Sequence, residues 1–219
     1  MIKRRAGMTL NYTVAADDKQ PYGSYRLDVY SFKANRRMVL FGKSALCQFI
    51  DLEIDHRVQE ICERPILVPG IKPKKVVDFW ALQDGVSSFY VFLSPEKTNT
   101  PKSWDVGYSK FREWVVMQKA AIVEVDPTSF ESKRMRYDNW SVVLQHLAGH
   151  RSFLSDGLLE RCEDAIKQPT RLDHIENAIV DTDPMLVRAA VFKLLISGRL
   201  VCDSMESKPM HPQVLVARP

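Results

Sequence analysis

Residues 75–93, KVVDFWALQDGVSSFYVFL, consist of two extended runs on either side of Asp84-Gly85. Both runs are rich in Val, Phe, Trp and Tyr, which favour strands. An Asp-Gly pair favours a type I′ turn, in which both central residues have positive φ. The stretch therefore predicts a β-hairpin with Asp78 in its first strand, among apolar neighbours.

A helix and another strand are predicted before this hairpin. Ser44 is a suitable N-cap, because a serine hydroxyl can accept a hydrogen bond from an unpaired N–H of the first turn. The apolar residues that follow at helical spacing indicate one buried face: Leu46, Phe49, Ile50 and Ile54. Residues 58–61 then predict a strand, which leads to an Arg-Pro step at Arg64 and Pro65.

The surrounding segments complete a predicted α/β domain over residues 24–126. Short strands are predicted within residues 24–43, a helix within 104–118 and a strand at 121–125 that could extend the sheet. Residues 1–23 are polar and predict an N-terminal arm with little structure of its own.

The pattern becomes helical after about residue 130, and residues 127–219 predict a second, helical domain. Helices are expected at 139–148, 153–167 and 171–179, and another runs from Pro184, at the first helical position, to Ser197. Gly198 should end it, with extended pieces at 199–202 and 214–217. This order predicts a winged helix-turn-helix. Phe192 and Ile196 are expected to lie off the core face of the last helix.

The composition excludes several classes of protein but does not identify one. The net charge of the 219 residues is +4, which permits a DNA partner without arguing for one. The four cysteines form no CxxC pair, so zinc-ribbon and thioredoxin-like sites are excluded. No apolar run is long enough to cross a membrane, and no signal peptide is visible, so we expect no membrane partner and a cytoplasmic location.

The order of short motifs between residues 36 and 93 resembles TnsA, the endonuclease subunit of heteromeric, Tn7-like transposons. The family pattern is a Ser-x-x-Glu helix start, a Leu-Glu-x-Asp segment, a Val, a Gln-Pro step, a Pro-Asp-Phe strand and a Glu/Gln-x-Lys strand. At these places the chain has Ser44 to Cys47, residues 52–55, Val58, Arg64-Pro65, residues 77–79, and Val91 to Leu93.

The resemblance implies a restriction-endonuclease-like core, with a mixed sheet flanked by helices, followed by a winged-helix domain. It also implies DNA and a transposase or other transposon protein as partners. In an active enzyme, carboxylates and a lysine would hold Mg²⁺ and the attacking water. Here Cys47, Val91 and Leu93 occupy three of the four catalytic positions. Only Asp78 is retained, as a candidate catalytic and metal-binding residue.

The expected function is therefore that of a DNA-interacting TnsA-like protein whose nuclease scaffold is catalytically impaired and needs no cofactor. One alternative is an active Mg²⁺-dependent endonuclease with a relocated site built from Asp51, Asp78, Glu96 and Lys97. Another is a protein-interaction subunit without DNA binding. Asp78 itself has a structural alternative, a half-buried strand aspartate held by backbone N–H groups, and Glu53 and Asp55 are assigned to the helix end and its packing.

Candidate DNA contacts come from the basic residues near these motifs and in the predicted winged helix. Solvated surface charge is the alternative interpretation of each cluster. The candidates in the first domain are Arg36, Arg37, Lys43, Lys74 and Lys75, and those in the second are Arg188, Lys193 and Arg199.

Overall fold

The computed structural model describes residues 11–68, 75–93 and 102–219, without the side chains of 102–106. The chain divides into two compact units, residues 1–128 and 129–219. Both helices and strands are present, and the predicted α/β class is confirmed. Within the described ranges, none of the helices has the length and apolar character needed to cross a bilayer.

The first unit combines a two-stranded hairpin with a four-stranded sheet. β1 and β2 pair antiparallel, and α1 leads from β2 into the larger sheet. The elements are β1 (Arg26–Ser31), β2 (Arg36–Phe41), α1 (Lys43–Ile54), β3 (Val58–Glu63), β4 (Phe79–Gln83), β5 (Val86–Phe92), α2 (Lys102–Met117) and β6 (Ala121–Val125).

The larger sheet has the order β3-β4-β5-β6 and is mixed. Its first three strands are antiparallel neighbours, whereas β6 runs parallel to β5 after the crossover through α2. The prediction that residues 121–125 extend the sheet is therefore confirmed. The predicted turn is confirmed too, since Asp84 and Gly85 have φ values of 49° and 78°.

The start of α1 differs from the prediction that Ser44 caps it. The helix begins at Lys43, its N-cap is Gly42 with φ 82°, and no side chain caps it. The N–H of Gly42 donates to the carbonyl of Tyr25, 2.9 Å away. This bond holds Gly42 at a positive φ, which favours glycine, and the helix starts two residues earlier than a Ser44 cap would place it.

The end of α1 is tied to the β1–β2 hairpin through Glu53, which is 1% exposed. Its carboxylate accepts hydrogen bonds from Ser31 Oγ at 2.8 Å and from the N–H groups of Phe32 and Lys33 at 2.7 and 3.1 Å. Burial raises the pKa of Glu53, although the bond from Ser31 and the backbone bonds oppose that shift. Glu53 therefore serves the packing of the helix end.

Residues 11–23 contain no helix or strand, yet they pack against the rest of the first unit. The Tyr12 ring lies 5.4 Å from the Trp80 ring and 5.8 Å from the Phe89 ring, each in an edge-on arrangement. The predicted absence of regular structure is observed, but the described part of the arm contributes to the aromatic core beside α2.

The second unit consists of four α-helices, short 3-10 helices and a few extended residues. α6 packs against α3, α4 and α5, and its core includes Val143, Cys162, Ile175 and Val191. The elements are α3 (Arg134–His150), α4 (Asp156–Asp164), β7 (Thr170–Arg171), α5 (Leu172–Ala178), α6 (Pro184–Ile196) and β8 (Leu215–Val216). β7 pairs antiparallel with β8, and Val201 forms a bridge with Ala217.

The sequence predicted both ends of α6 correctly, but it did not predict which residues of the helix are buried. Pro184 occupies the first turn after an Asp183 cap, and Gly198 has φ 70° just past the end. The expectation that Phe192 and Ile196 lie off the core face is wrong, because they are 2% and 8% exposed. α3 covers this side, since the His146 ring lies 5.5 Å from the Phe192 ring.

Two glycine-to-alanine substitutions should differ in their effect on stability, and only the first should be destabilising. A Cβ at Gly42 or at Gly149 would meet no atom within 4 Å, so only backbone conformation distinguishes them. We expect Gly42→Ala to destabilise the first unit by about 1 kcal/mol, because it forces alanine into positive φ. Gly149→Ala, inside α3, should be neutral or stabilising by up to about 1 kcal/mol. Thermal unfolding would measure both, and equal effects would contradict this account of the α1 start.

Candidate functional site

Three positions that carry the sequence resemblance meet in the first unit. Ser44 from the first turn of α1, Arg64 after β3 and Asp78 before β4 all line one cavity of about 270 Å³. Lys43, Glu63 and Pro21 also contribute to its lining. The cavity therefore has both cationic and carboxylate side chains around the uncapped start of a helix.

Asp78 is held in place by three hydrogen bonds to neighbouring backbone. Its carboxylate Oδ2 accepts from the N–H of Phe92 at 2.7 Å. Its own N–H donates to the carbonyl of Tyr90 at 3.0 Å, and its carbonyl accepts from the N–H of Arg64 at 2.9 Å. Asp78 is half-buried. The structural alternative expected a half-buried strand aspartate held by backbone N–H groups; Asp78 lies directly before β4, and the N–H of Phe92 bonds its carboxylate.

Burial raises the pKa of the Asp78 carboxyl, because charge is poorly solvated there. The positive charge of Lys75, the bond from Phe92 and the charge of Arg64 oppose this shift. Two of the cations near the cavity therefore act on the one carboxylate that the resemblance assigns to catalysis.

The other expected catalytic positions hold packed side chains. Cys47 and Val91 are each 1% exposed, and Val91 belongs to the apolar cluster with Trp80 and Phe89. Leu93 is half-buried, and its N–H donates to the carbonyl of Val125 at 2.8 Å. Neither Val91 nor Leu93 offers a side-chain ligand, and a buried thiol is a poor ligand for Mg²⁺.

The described residues include only two members of the relocated site, Asp51 and Asp78. Asp51 is not among the residues that line the cavity with Asp78. Glu96 and Lys97 fall outside the described residues. In the part of the chain that is described, no group of three His, Cys, Asp or Glu side chains is placed to hold a metal ion.

Glu63 is a cavity residue that the sequence reasoning missed. It is 4% exposed and accepts hydrogen bonds from Arg36 at 2.8 Å to Oε1 and 2.5 Å to Oε2. Bonding to Glu63 raises the pKa of Arg36, which stays charged. An acidic residue directly before the Arg-Pro step was the available signal, but the predicted strand ended at Ile61 and left Glu63 unassigned.

The predicted DNA contacts of the first unit have different surroundings. Arg36 is engaged by Glu63, whereas Arg37 and Lys43 are exposed, and Lys43 lies at the cavity. Lys75 is half-buried and acts on Asp78. Lys74 falls outside the described residues.

In the second unit, two of the predicted DNA contacts form ion pairs. Arg188 donates to both carboxylate oxygens of Glu176, at 2.7 and 3.0 Å. Arg199 donates to both oxygens of Glu163, one of them 3.2 Å from Nε. Lys193 is half-buried on α6. From Val187 to Ile196, Arg188 and Lys193 are the residues of α6 that are not buried.

Comparison with known proteins adds no relative to these observations. No protein-family model matches the chain, and no curated protein shows significant similarity to it. The resemblance to TnsA thus depends on the motifs of residues 36–93 and stays a proposal.

Substitution of Arg36 and of its neighbour Arg37 tests which of these two predicted DNA contacts stabilises the fold. We expect Arg36→Ala to destabilise the first unit by about 3–5 kcal/mol, because it leaves the Glu63 charge buried and unpaired. Arg37→Ala should change stability by less than about 0.5 kcal/mol, since Arg37 is exposed. Chemical denaturation would measure both. The double variant Arg36→Met, Glu63→Gln should recover most of the stability that Arg36→Ala loses. If it does not, the loss in Arg36→Ala does not come from the ion pair.

The raised pKa of Asp78 predicts the pH dependence of an Asp78→Asn variant. As the pH rises from the ordinary aspartate pKa to the higher folded value, the unfolded state loses its proton first, so the wild type loses stability. The variant has no such charge and should melt above the wild type at neutral pH, with the difference vanishing near about pH 3. Melting curves over this range would measure it. A variant less stable at neutral pH would mean that Lys75 and Arg64 outweigh burial.

Proposed function

We propose that this protein is a TnsA-like, DNA-interacting component of a transposition or recombination system, and that it does not cleave DNA efficiently. Its first unit would be a restriction-endonuclease-like scaffold and its second unit a winged helix. The observation that carries the proposal is the meeting of Ser44, Arg64 and Asp78 in one cavity beside a mixed sheet flanked by helices. These residues are far apart in the chain, and each belongs to a separate motif of the resemblance.

The charges around the cavity favour a phosphodiester as the group that approaches it. Lys43 is exposed at the first helical position of α1, and the first turn of this helix contains no acidic residue. Arg64 lines the same cavity, and a guanidinium can donate two parallel hydrogen bonds to a phosphate. Arg37, on the preceding strand, is exposed as well.

Impaired cleavage follows from the chemistry of the side chains at the catalytic positions. Metal-dependent hydrolysis of DNA needs several oxygen ligands for a hard cation and a group that steadies the attacking water. Asp78 supplies one carboxylate, and its Oδ2 is already bonded to Phe92. Glu63 is the second carboxylate of the cavity, but Arg36 occupies both of its oxygens.

The second unit supports the winged-helix proposal through the order of its elements. α4, β7, α5 and α6 are followed by two extended pieces, at Val201 and at β8, that complete a small antiparallel sheet. The same unit also favours a second candidate function, docking of a protein partner such as a transposase. Arg188 and Arg199 are paired with glutamates, and apart from two half-buried residues α6 is buried beyond its first turn.

Binding of duplex DNA over a series of salt concentrations tests the proposal. Wild-type protein should bind with log K falling linearly with log salt. Lys43→Ala should weaken binding for all sequences and reduce the slope by about 0.9, the contribution of one phosphate contact. Lys110→Ala, at an exposed position of α2, is the matched control and should bind like the wild type. No salt-dependent binding would favour the protein-docking function for both units.

Cleavage is tested separately by nicking of supercoiled plasmid in Mn²⁺. Wild-type and Asp78→Asn proteins should both leave the plasmid intact. Nicking by the wild type that is lost in the variant would refute impaired catalysis and direct attention to Asp51, Glu96 and Lys97.

A further inference from the structure

The guanidinium of Arg64 is held by the N-terminal arm at the edge of the Asp78 cavity. Its Nε donates to the carbonyl of Asp17 at 2.7 Å, and its Nη2 donates to Asp17 Oδ2 at 2.6 Å and to the carbonyl of Lys19 at 3.2 Å. The side chains of Arg64 and Asp17 are only 14% and 22% exposed. Solvent therefore screens this ion pair less than the surface pairs of the same unit.

The backbone of Arg64 also depends on the arm. Arg64 has a backbone φ of 46°, which residues other than glycine rarely adopt. Its N–H donates to the carbonyl of Asp78, and its carbonyl accepts from the N–H of Ala16 at 2.8 Å. An unusual conformation of this kind persists only where its surroundings determine it, and the arm supplies one of the two backbone partners.

The arm continues from this contact to the cavity. Tyr12 is anchored against Trp80 and Phe89, residues 16–19 bind Arg64, and Pro21 forms part of the cavity lining. The guanidinium also lies over the ring of Phe41, 5.0 Å from its centroid. Residues 12–21 thus form a strap, anchored at Tyr12 and fastened beside Asp78 by Arg64.

We propose that this strap is autoinhibitory: Asp17 occupies the donors of Arg64 that bind a DNA phosphate when the strap is released. The inference rests on the proposed function and adds its regulation. A phosphate can accept from both Nε and Nη2 of a guanidinium, so it competes with the backbone carbonyl of Asp17 for Nε and with one carboxylate oxygen of Asp17 for Nη2. Because DNA binds only the fraction of molecules with an open strap, the closed strap lowers the apparent affinity by that fraction.

The strap is tested by Asp17→Asn in the full chain, with a short duplex oligodeoxynucleotide as the probe. Asparagine keeps the size of the side chain but removes its charge, which weakens the bond to Arg64. We expect the Kd for DNA to fall about threefold to tenfold. The salt slope should stay close to that of the wild type, because DNA contacts the same phosphates in both proteins once the strap is open. Arg64→Lys in the Asp17→Asn background should abolish the gain, because lysine lacks the planar donor pair.

The matched control is Asp173→Asn in the second unit. Asp173 also pairs with an arginine, since both of its carboxylate oxygens accept from Arg171, and the substitution changes the net charge equally. Its Kd should stay close to the wild-type value. If both variants tighten binding equally, the effect is one of net charge and the strap proposal is overturned, while DNA binding itself stands.

Tryptic cleavage after Lys19 reports the strap directly, because Lys19 is exposed and its carbonyl accepts from Arg64. Cleavage should be faster in Asp17→Asn than in Asp173→Asn, and DNA should accelerate it in the wild type. Protection of Lys19 by DNA would overturn release of the strap. If neither the wild type nor Asp17→Asn binds DNA at any salt concentration, the proposed function fails and this inference fails with it.

Discussion

The arrangement of the first unit depends on the hydrogen bonds of Asp78. Its N–H and its carboxylate bind the backbone of β5, at Tyr90 and Phe92, and its carbonyl binds the residue after β3. One residue therefore joins three segments at the point where the sheet meets the cavity. Since buried backbone groups need partners, this network determines where Arg64 lies and hence where the arm can attach.

Several arginines of this protein are paired with glutamates within their own unit. Arg36, Arg188 and Arg199 each donate to both oxygens of a glutamate, and two of these glutamates, Glu63 and Glu176, are buried. Such pairs hold elements together because a buried charge without its partner is costly. Arg37 and Lys43, by contrast, are exposed to solvent.

The two units place their central elements differently. In the first, a sheet carries the candidate site at one end, where strands and a helix start converge. In the second, α6 is itself the interior, with α3, α4 and α5 packed around it. Beyond its first turn, α6 therefore exposes little of its own surface to solvent.

Local patterns determined the elements of this protein, whereas contacts between distant residues decided its site. Asp84-Gly85, Pro184 and Gly198 act through their own φ preferences, so their turns and helix ends could be predicted from neighbours alone. The N-cap at Gly42 depends instead on the carbonyl of Tyr25. The pairing of Arg36 with Glu63, 27 residues away, and of Asp17 with Arg64, 47 residues away, depends on the packing of separate segments. The spacing of apolar residues predicts one buried face of a helix. Only the tertiary structure decides whether another helix, here α3, also covers the opposite face.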